Sequence, residues 1–158
     1  MIRYDDIRST FGEGLSGFLG LKVINMNGGG KIPPTAFMTY SFSPGFGDPR
    51  GFPVFTLTQD RLIQQEMVLF TVSFLSYADD NRTSTLNAMR ARDWFKTIGR
   101  DSLKDLDVVV VNIGMIENRD IQIGEEWERR MGFDVDFRTM DVAEQPLEWI
   151  DTANIKRS

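Results

Sequence analysis

The sequence of 158 residues contains neither cysteine nor histidine. Because cysteine is missing, disulfides and thiolate chemistry are excluded, and the redox compartment is left open. Because histidine is missing, the chain lacks the side chain that most often serves as a general base or a metal ligand near neutral pH. Any catalysis or metal binding would therefore have to rely on carboxylates.

The chain also lacks long apolar runs and an excess of positive charge. It has no stretch of about 18 apolar residues, and its N-terminus has no apolar segment of the signal-peptide type. Lys and Arg number 18 against 23 Asp and Glu, for a net charge of −5. Sequence-independent DNA binding requires cations that neutralise phosphates, so this balance argues against it. We expect a protein that is made and used in water inside a cell, without membrane contact.

The stretch that organises the chain begins with a strongly apolar strand. Residues 67–75 place one set of apolar side chains on a single face: Val68, Phe70, Val72 and Phe74. Leu69 and Leu75 fall on the other face, with Thr71 and Ser73 between them. This pattern predicts a central strand that is buried fully on one side and partly on the other.

A helix is predicted directly after this strand. Asp79, Asp80 and Asn81 offer N-cap oxygens and place negative charge at a helix start. The apolar residues of one flank then recur at helical spacing: Ala88, Ala91, Trp94, Phe95 and Ile98. Gly99 is the predicted C-terminal stop. A strand feeding a helix that folds back onto its own sheet gives an α+β layered domain.

The remaining elements complete one domain over residues 1–158, with a mostly antiparallel sheet packed by an N-terminal helix and the central helix. The N-terminal helix is predicted over residues 4–18, with an apolar face of Ile7, Phe11, Leu15 and Phe18. Further strands are predicted over residues 21–24, 35–43, 54–58, 106–116, 121–140 and 146–155, with a turn at 117–120 and a bulge at Gly132. Segments 27–34 and 44–53, rich in Gly and Pro, are predicted to be flexible loops.

Two clusters of polar residues are candidates for a binding site. The Gly28–Lys31 segment resembles a phosphate cradle, but Ile32 and two prolines follow where such a loop needs a hydroxyl and a helix start, so we exclude it. Asp134 and Asp136 share one strand face and could bind a divalent cation. A solvated or inter-subunit face is the simpler interpretation, because carboxylates are routinely exposed. We therefore predict no metal site and no cofactor.

Phe46 and Phe52 stand at the tip of the second Gly- and Pro-rich segment. Large apolar side chains on such a segment often mark a surface for a partner, since monomers seldom expose them without a function. The alternative is that they fold back onto the core as a lid. The sequence leaves both interpretations open.

The order of these motifs resembles that of the neck or tail-terminator proteins of tailed bacteriophages, over about residues 70–155. The most specific match is the run Glu-Arg-Arg-x-Gly-Phe-Asp-Val-x-Phe at 128–137, within the block 127–138. The likeness also includes the strand at 70–76, the polar helix start at 79–85, Trp94-Phe95 late in the helix, the strand at 107–116, and the segment 149–155. The resemblance implies a sheet flanked by helices that assembles as a hexameric ring. Such a ring caps the finished tail tube and presents a docking face to the head-side connector.

The resemblance implies a virion protein of the neck, assembled in the host cytoplasm. Its expected partners are further copies of itself, the tail tube protein, the head-side connector or neck protein, and a sheath protein. DNA is expected to pass through an acidic lumen without specific binding. Alternatives are a head-completion or baseplate subunit of the same virion, and a small enzyme that works through carboxylates alone.

The residues predicted to lie at interfaces are those that the predicted strands and loops leave exposed. The strand 127–140 is expected to turn Phe133, Val135 and Phe137 inward and its charged residues outward, where opposite charges can pair between subunits. The residues expected at interfaces are Phe46, Arg50, Phe52, Glu128, Arg130, Asp134, Asp136, Arg138 and Trp149. No catalytic residue is predicted.

Overall fold

The fold is built around one long strand at the centre of a sheet. The structure is a computed structural model, and it describes residues 1–147. Its helical segments are α1 (Tyr4–Ser9), a π-helical segment (Thr10–Leu15), α2 (Ser16–Leu19), α3 (Asn81–Lys96) and α4 (Ile98–Lys104). Its strands are β1 (Lys22–Asn25), β2 (Phe37–Phe42), β3 (Asp48–Leu57), β4 (Arg61–Tyr77), β5 (Val109–Ile113), β6 (Glu117–Asn118), β7 (Ile121–Ile123), β8 (Glu126–Glu128) and β9 (Arg130–Pro146).

The main sheet is mostly antiparallel, as predicted. Its strand order is β1-β2-β4-β9-β5, with β3 also paired to β4 and β6 to β9. Only the β1–β2 pair is parallel among these. Strand β4 pairs with β9 along all its 17 residues, from Arg61 opposite Pro146 to Tyr77 opposite Arg130. The α+β class is therefore confirmed.

The core lies on one face of this sheet, where the helices pack. The predicted inward set of β4 is buried, and so are Phe133, Val135 and Phe137 of β9. The ring of Phe11 fills the space between sheet and helices, 5.3 Å from the ring of Phe74 and 6.0 Å from that of Phe95. Burying each such side chain stabilises the fold by about 1.5–3 kcal/mol, so this layer supplies much of the driving force.

The N-terminal helix has the predicted extent, but its middle segment is π-helical. Ile7, Phe11 and Leu15 are fully buried, whereas Phe18 is 38% exposed and Leu19 takes the inward position. The π-helical segment between α1 and α2 explains this difference, because its wider turn shifts the register of the residues that follow. A Cβ at Gly14, in that segment, would lie 3.2 Å from the Trp94 ring, so the glycine admits the close approach of helix and tryptophan.

The central helix begins as predicted and ends differently. Asp80 is the N-cap residue, and its carboxylate accepts a hydrogen bond from the backbone N–H of Thr83 at 2.9 Å. Gly99 is not the stop: α3 ends at Lys96, and Gly99 lies within α4. A Cβ there would come within 2.3 Å of the Trp94 ring, so the glycine is required by packing. Ile98, predicted to be inward, is 60% exposed.

The second predicted loop is largely a strand. The chain enters β3 at Asp48, and Asp48, Pro49 and Arg50 pair with β4 before a register shift between Arg50 and Val54. The prediction of a flexible segment over residues 44–53 is therefore wrong from Asp48 onward. Proline and glycine are tolerated here because β3 is an edge strand with a bulge. Segment 27–34 contains no helix or strand, in agreement with its loop assignment.

The predicted return strand over residues 121–140 is interrupted. β7 and β8 form a separate two-stranded sheet, and β9 begins only at Arg130. The predicted turn at 117–120 contains the short strand β6. Gly132 is not a bulge, since it pairs regularly with Leu75. The predicted last strand, 146–155, lies outside the described residues after Leu147.

Candidate interaction surfaces

The sheet face opposite the helices carries most of the charged residues predicted for interfaces. Asp134, Asp136 and Arg138 of β9 lie on this outer face, as does Arg130, because each pairs with an odd-numbered residue of β4. The carboxylate of Asp136 accepts a hydrogen bond from the Thr71 hydroxyl at 2.6 Å. This hydrogen bond ties Asp136 to β4 of its own subunit.

Arg119 joins this outer face from the segment after β6. Its guanidinium lies 3.2 Å from the carboxylate of Asp134 and donates to the Ser73 hydroxyl at 2.8 Å. It also lies 3.4 Å from Glu117. Arg119 was not predicted as a site residue, because only the strand register brings it to Asp134. Within residues 1–147 no group of three carboxylates is arranged to hold a metal ion.

Arg138 differs from its neighbours on this face. It is exposed, and it lies between Leu69 of β4 and Val109 of β5 in the sheet. It has no ion-pair partner within 4 Å among residues 1–147. Among the arginines predicted for interfaces, Arg138 is therefore the one whose charge is not paired within residues 1–147, and another molecule can contact it.

Glu128 and Arg130 are positioned at the base of the β7–β8 hairpin. Glu128 was expected on the same strand as Asp134 and Arg138, but it belongs to β8. The Arg130 guanidinium lies 3.9 Å from Glu128 and donates to the backbone carbonyl of Arg119. Both residues therefore contribute to the folding of their own subunit, whatever partner they also contact.

Asp120 is a key residue of this region that the sequence patterns missed. Its carboxylate accepts hydrogen bonds from the Arg130 backbone N–H at 2.7 Å and from the Arg129 guanidinium at 2.9 Å. Its side chain is only 8% exposed. Burial by itself would raise the pKa of Asp120, but these hydrogen bonds, with one from Asn118, lower the pKa below its ordinary value. Asp120 thus fastens the hairpin to the start of β9.

Phe46 and Phe52, predicted as a pair, have opposite environments. The ring of Phe46 stacks on Phe70 with centroids 4.6 Å apart and meets Phe42 at 4.9 Å. Phe46 therefore belongs to the edge of the core, as in the lid interpretation. Phe52 is 96% exposed, as a partner surface would require. Arg50, also predicted for an interface, pairs with Asp48 at 2.8 Å on the exposed start of β3.

Phe52 is part of an arm formed by three paired strand segments, none of whose residues is buried. We define the arm as β3 with residues 61–66 of β4 and 141–146 of β9, which pair across it. Exposed apolar side chains follow β3: Phe52, Val54, Phe55 and Leu57. Residues 51–59 contain no charged side chain. Edge strands usually carry charges that discourage pairing with other chains, so this edge is unusually open to a protein partner.

A groove of about 870 Å³ lies at the other end of β4. It is lined by the glycine-rich segment 28–34, by Phe37 and Tyr77, and by Trp127 of the hairpin. The rings of Phe37 and Tyr77 stack with centroids 4.5 Å apart. The Thr39 hydroxyl also lines the groove and has no hydrogen-bond partner within residues 1–147. The groove thus combines aromatic surface with an unsatisfied polar atom.

Trp149, the last predicted interface residue, lies outside the described residues. None of the helices in residues 1–147 is long and apolar enough to cross a membrane. Within these residues the structure shows an α+β sheet with helices on one face, an arm with exposed apolar side chains, and carboxylates that pair with arginines of the same chain.

The comparison with known families identifies the class of protein. A family model described as phage neck terminator protein matches residues 5–158. The chain therefore belongs to the phage neck terminator family, and it is a structural virion protein of the bacteriophage tail neck. Membership implies association with other tail and head-connector proteins. No curated protein matches the chain.

Proposed function

We propose that this protein forms a hexameric ring at the neck, which stops growth of the tail tube and joins the finished tail to the head connector. The observation that carries the proposal is the family match, which includes all of the described sheet and arm. In this assembly the partners are the tail tube protein and the head-side connector or neck protein, together with the sheath protein if the tail is contractile. The ring is built in the host cytoplasm and remains in the virion.

The charge of the subunit supports a passive role toward DNA. A net charge of −5 gives a lumen that repels phosphates, so DNA passes without specific binding. The subunit has no catalytic function in this proposal. The carboxylates considered for an enzyme are Asp134, Asp136 and Glu128. They already contact Arg119, Thr71 and Arg130 respectively. A general base would instead need a carboxylate in a dry pocket with a raised pKa.

The test is electron microscopy of phage in which the gene for this protein carries an early stop codon. We expect full heads beside unattached tails of excessive length, and normal particles when the intact gene is supplied in trans. Tails of normal length without heads would indicate a head-completion subunit, and absence of tails would indicate a baseplate subunit. Locating the chain in a reconstruction of the intact particle then gives the copy number in the ring.

A further inference from the structure

The arm and the groove lie at opposite ends of the subunit. Phe55 on the arm pairs with Gln64, whereas Tyr77 at the groove lies 13 residues further along β4 (77 − 64 = 13). At a rise of about 3.3 Å per residue the two sites are roughly 40 Å apart. The arm of a subunit therefore cannot reach its own groove.

From this arrangement we propose that β3 of one subunit docks in the groove of the next copy, with Phe52 and Phe55 as its anchors. This inference rests on the proposed ring and names its subunit contact. A contact between two different surfaces of the same chain is heterologous, and it generates a closed ring when the rotation between neighbours closes. Aromatic anchors that enter a pocket are the usual source of binding energy at such contacts.

The amount of exposed apolar surface fits a contact of this kind. Phe52 is 96% and Phe55 60% exposed, and an aromatic side chain can bury 150–250 Å², so these two residues alone offer roughly 230–390 Å². Leu57 shares the face of Phe55, because both pair with even-numbered residues of β4, whereas Val54 lies on the opposite face. Monomers rarely expose so much apolar surface at one edge without a function. A single contact with the groove stays below the roughly 1,200 Å² of a stable interface. The free subunit is therefore monomeric, and contacts accumulate only when the ring closes on the tail.

The groove suits this occupant better than a charged one. Its aromatic lining, Phe37, Tyr77 and Trp127, matches the uncharged segment 51–59 of the arm. Of the charged residues that line the groove, Lys31, Asp79, Glu126 and Arg129 are exposed in the free subunit, and Arg8 and Glu128 are half-buried. Docking an uncharged strand between the aromatic walls leaves the four exposed charges at the rim, where they keep their hydration, and brings no second charge to Arg8 and Glu128.

Cross-linking in assembled particles tests the contact, because the natural chain has no cysteine. The variant Val54→Cys/Ile123→Cys places one thiol on β3, between the two anchors in sequence, and one on a hairpin residue that lines the groove, and it leaves all the aromatic residues in place. We expect a short bismaleimide linker to give a ladder of covalent multimers on a denaturing gel. The control Val54→Cys/Met115→Cys uses an exposed position that does not line the groove, and it should give no ladder.

A second set of variants tests the anchors. Phe52→Ser/Phe55→Ser, added to the Val54→Cys/Ile123→Cys chain, should lower the cross-linking yield about tenfold or more, since each buried aromatic contributes at least that factor to the contact. Both side chains are exposed in the free subunit, so its thermal unfolding should be unchanged. The matched change Val111→Ser, at an exposed position of β5, should leave the yield unaffected.

The outcomes separate this contact from the proposed function. A ring seen at the neck without the ladder overturns the arm–groove contact and leaves the terminator function standing. A ladder in particles whose tails lack a neck ring supports the contact and overturns the hexameric terminator. A ladder unaffected by the Phe52→Ser/Phe55→Ser change overturns the assignment of these two anchors.

Discussion

The side chain of Arg119 lies directly over Gly132. A Cβ at Gly132 would be 2.6 Å from Cδ of Arg119 and 2.7 Å from a methyl carbon of Leu75. Because glycine has no side chain, Arg119 can pass over Gly132 and reach Ser73 and Asp134 on the outer face. Glycine is therefore required here for space, in a strand that pairs without interruption.

Replacing Gly132 by alanine should destabilise the protein by about 1–3 kcal/mol, because the added methyl group must displace Arg119 and Leu75. Chemical denaturation monitored by tryptophan fluorescence measures the loss. Gly17→Ala is the matched control: no atom lies within 4 Å of the added Cβ, and alanine favours the helix by about 0.5–1 kcal/mol. Equal stability of Gly132→Ala and the natural protein would contradict the close packing of Arg119.

Replacing Asp120 by asparagine should loosen the β7–β8 hairpin. The change removes the charge that holds Arg129 and weakens the bond to the Arg130 amide, so we expect a loss of about 1–3 kcal/mol. Hydrogen exchange followed by mass spectrometry should become faster in residues 120–130 and stay unchanged in β4. Asp105→Asn, at an exposed carboxylate after α4, is the control. Unchanged exchange in the hairpin of Asp120→Asn would show that other contacts hold it.

Stability should fall in acid because two carboxylates have lowered pKa values. Hydrogen bonds donated by Thr83 lower the pKa of Asp80, and those from Arg130, Arg129 and Asn118 lower that of Asp120. A folded pKa below the unfolded value of about 3.9 stabilises the protein above that pH. This contribution is lost as pH falls through the lowered folded pKa.

Denaturant unfolding between about pH 2 and pH 7 measures this loss. The variant Asp80→Asn/Asp120→Asn should be less stable near neutral pH and should lose less stability on acidification than the natural protein. If both proteins decline in parallel, other carboxylates are responsible for the acid sensitivity.

Reversing the charge of Arg138 should disturb assembly without disturbing the fold. The side chain is exposed and has no ion-pair partner within residues 1–147, so Arg138→Glu should change the free energy of unfolding by no more than about 0.5 kcal/mol. In phage that carry Arg138→Glu we expect overlong or headless tails in electron micrographs. Arg100→Glu, an exposed arginine on α4, serves as the control. Normal tails joined to heads would remove Arg138 from the interface.

Arg130→Glu is an informative contrast with Arg138→Glu. Arg130 donates to the carbonyl of Arg119 and lies near Glu128, so its reversal affects the fold of the subunit itself. A drop in its thermal stability is expected, together with any defect in assembly. The two arginines share one sheet face, yet only Arg138 reports on assembly alone.

The sequence alone was sufficient for the parts of the fold that depend on local periodicity. Alternation in residues 67–75 and 133–137 predicted the buried faces of β4 and β9, because a strand with one covered face must alternate. The Asp80 cap and the inward face of α3 followed from helix chemistry in the same way. The resemblance to neck terminators likewise depended on residue order, and the family match confirms it.

Only the tertiary structure decided features that depend on contacts between distant residues. Gly99 and Gly132 have the sequence signature of a helix stop and a bulge, but each provides space for a side chain, Trp94 or Arg119. Phe46 and Phe52 look equivalent in sequence, yet the one packs on Phe70 and the other projects from an edge strand. The physical reason is that long-range packing chooses among conformations that local propensity leaves nearly equal in free energy.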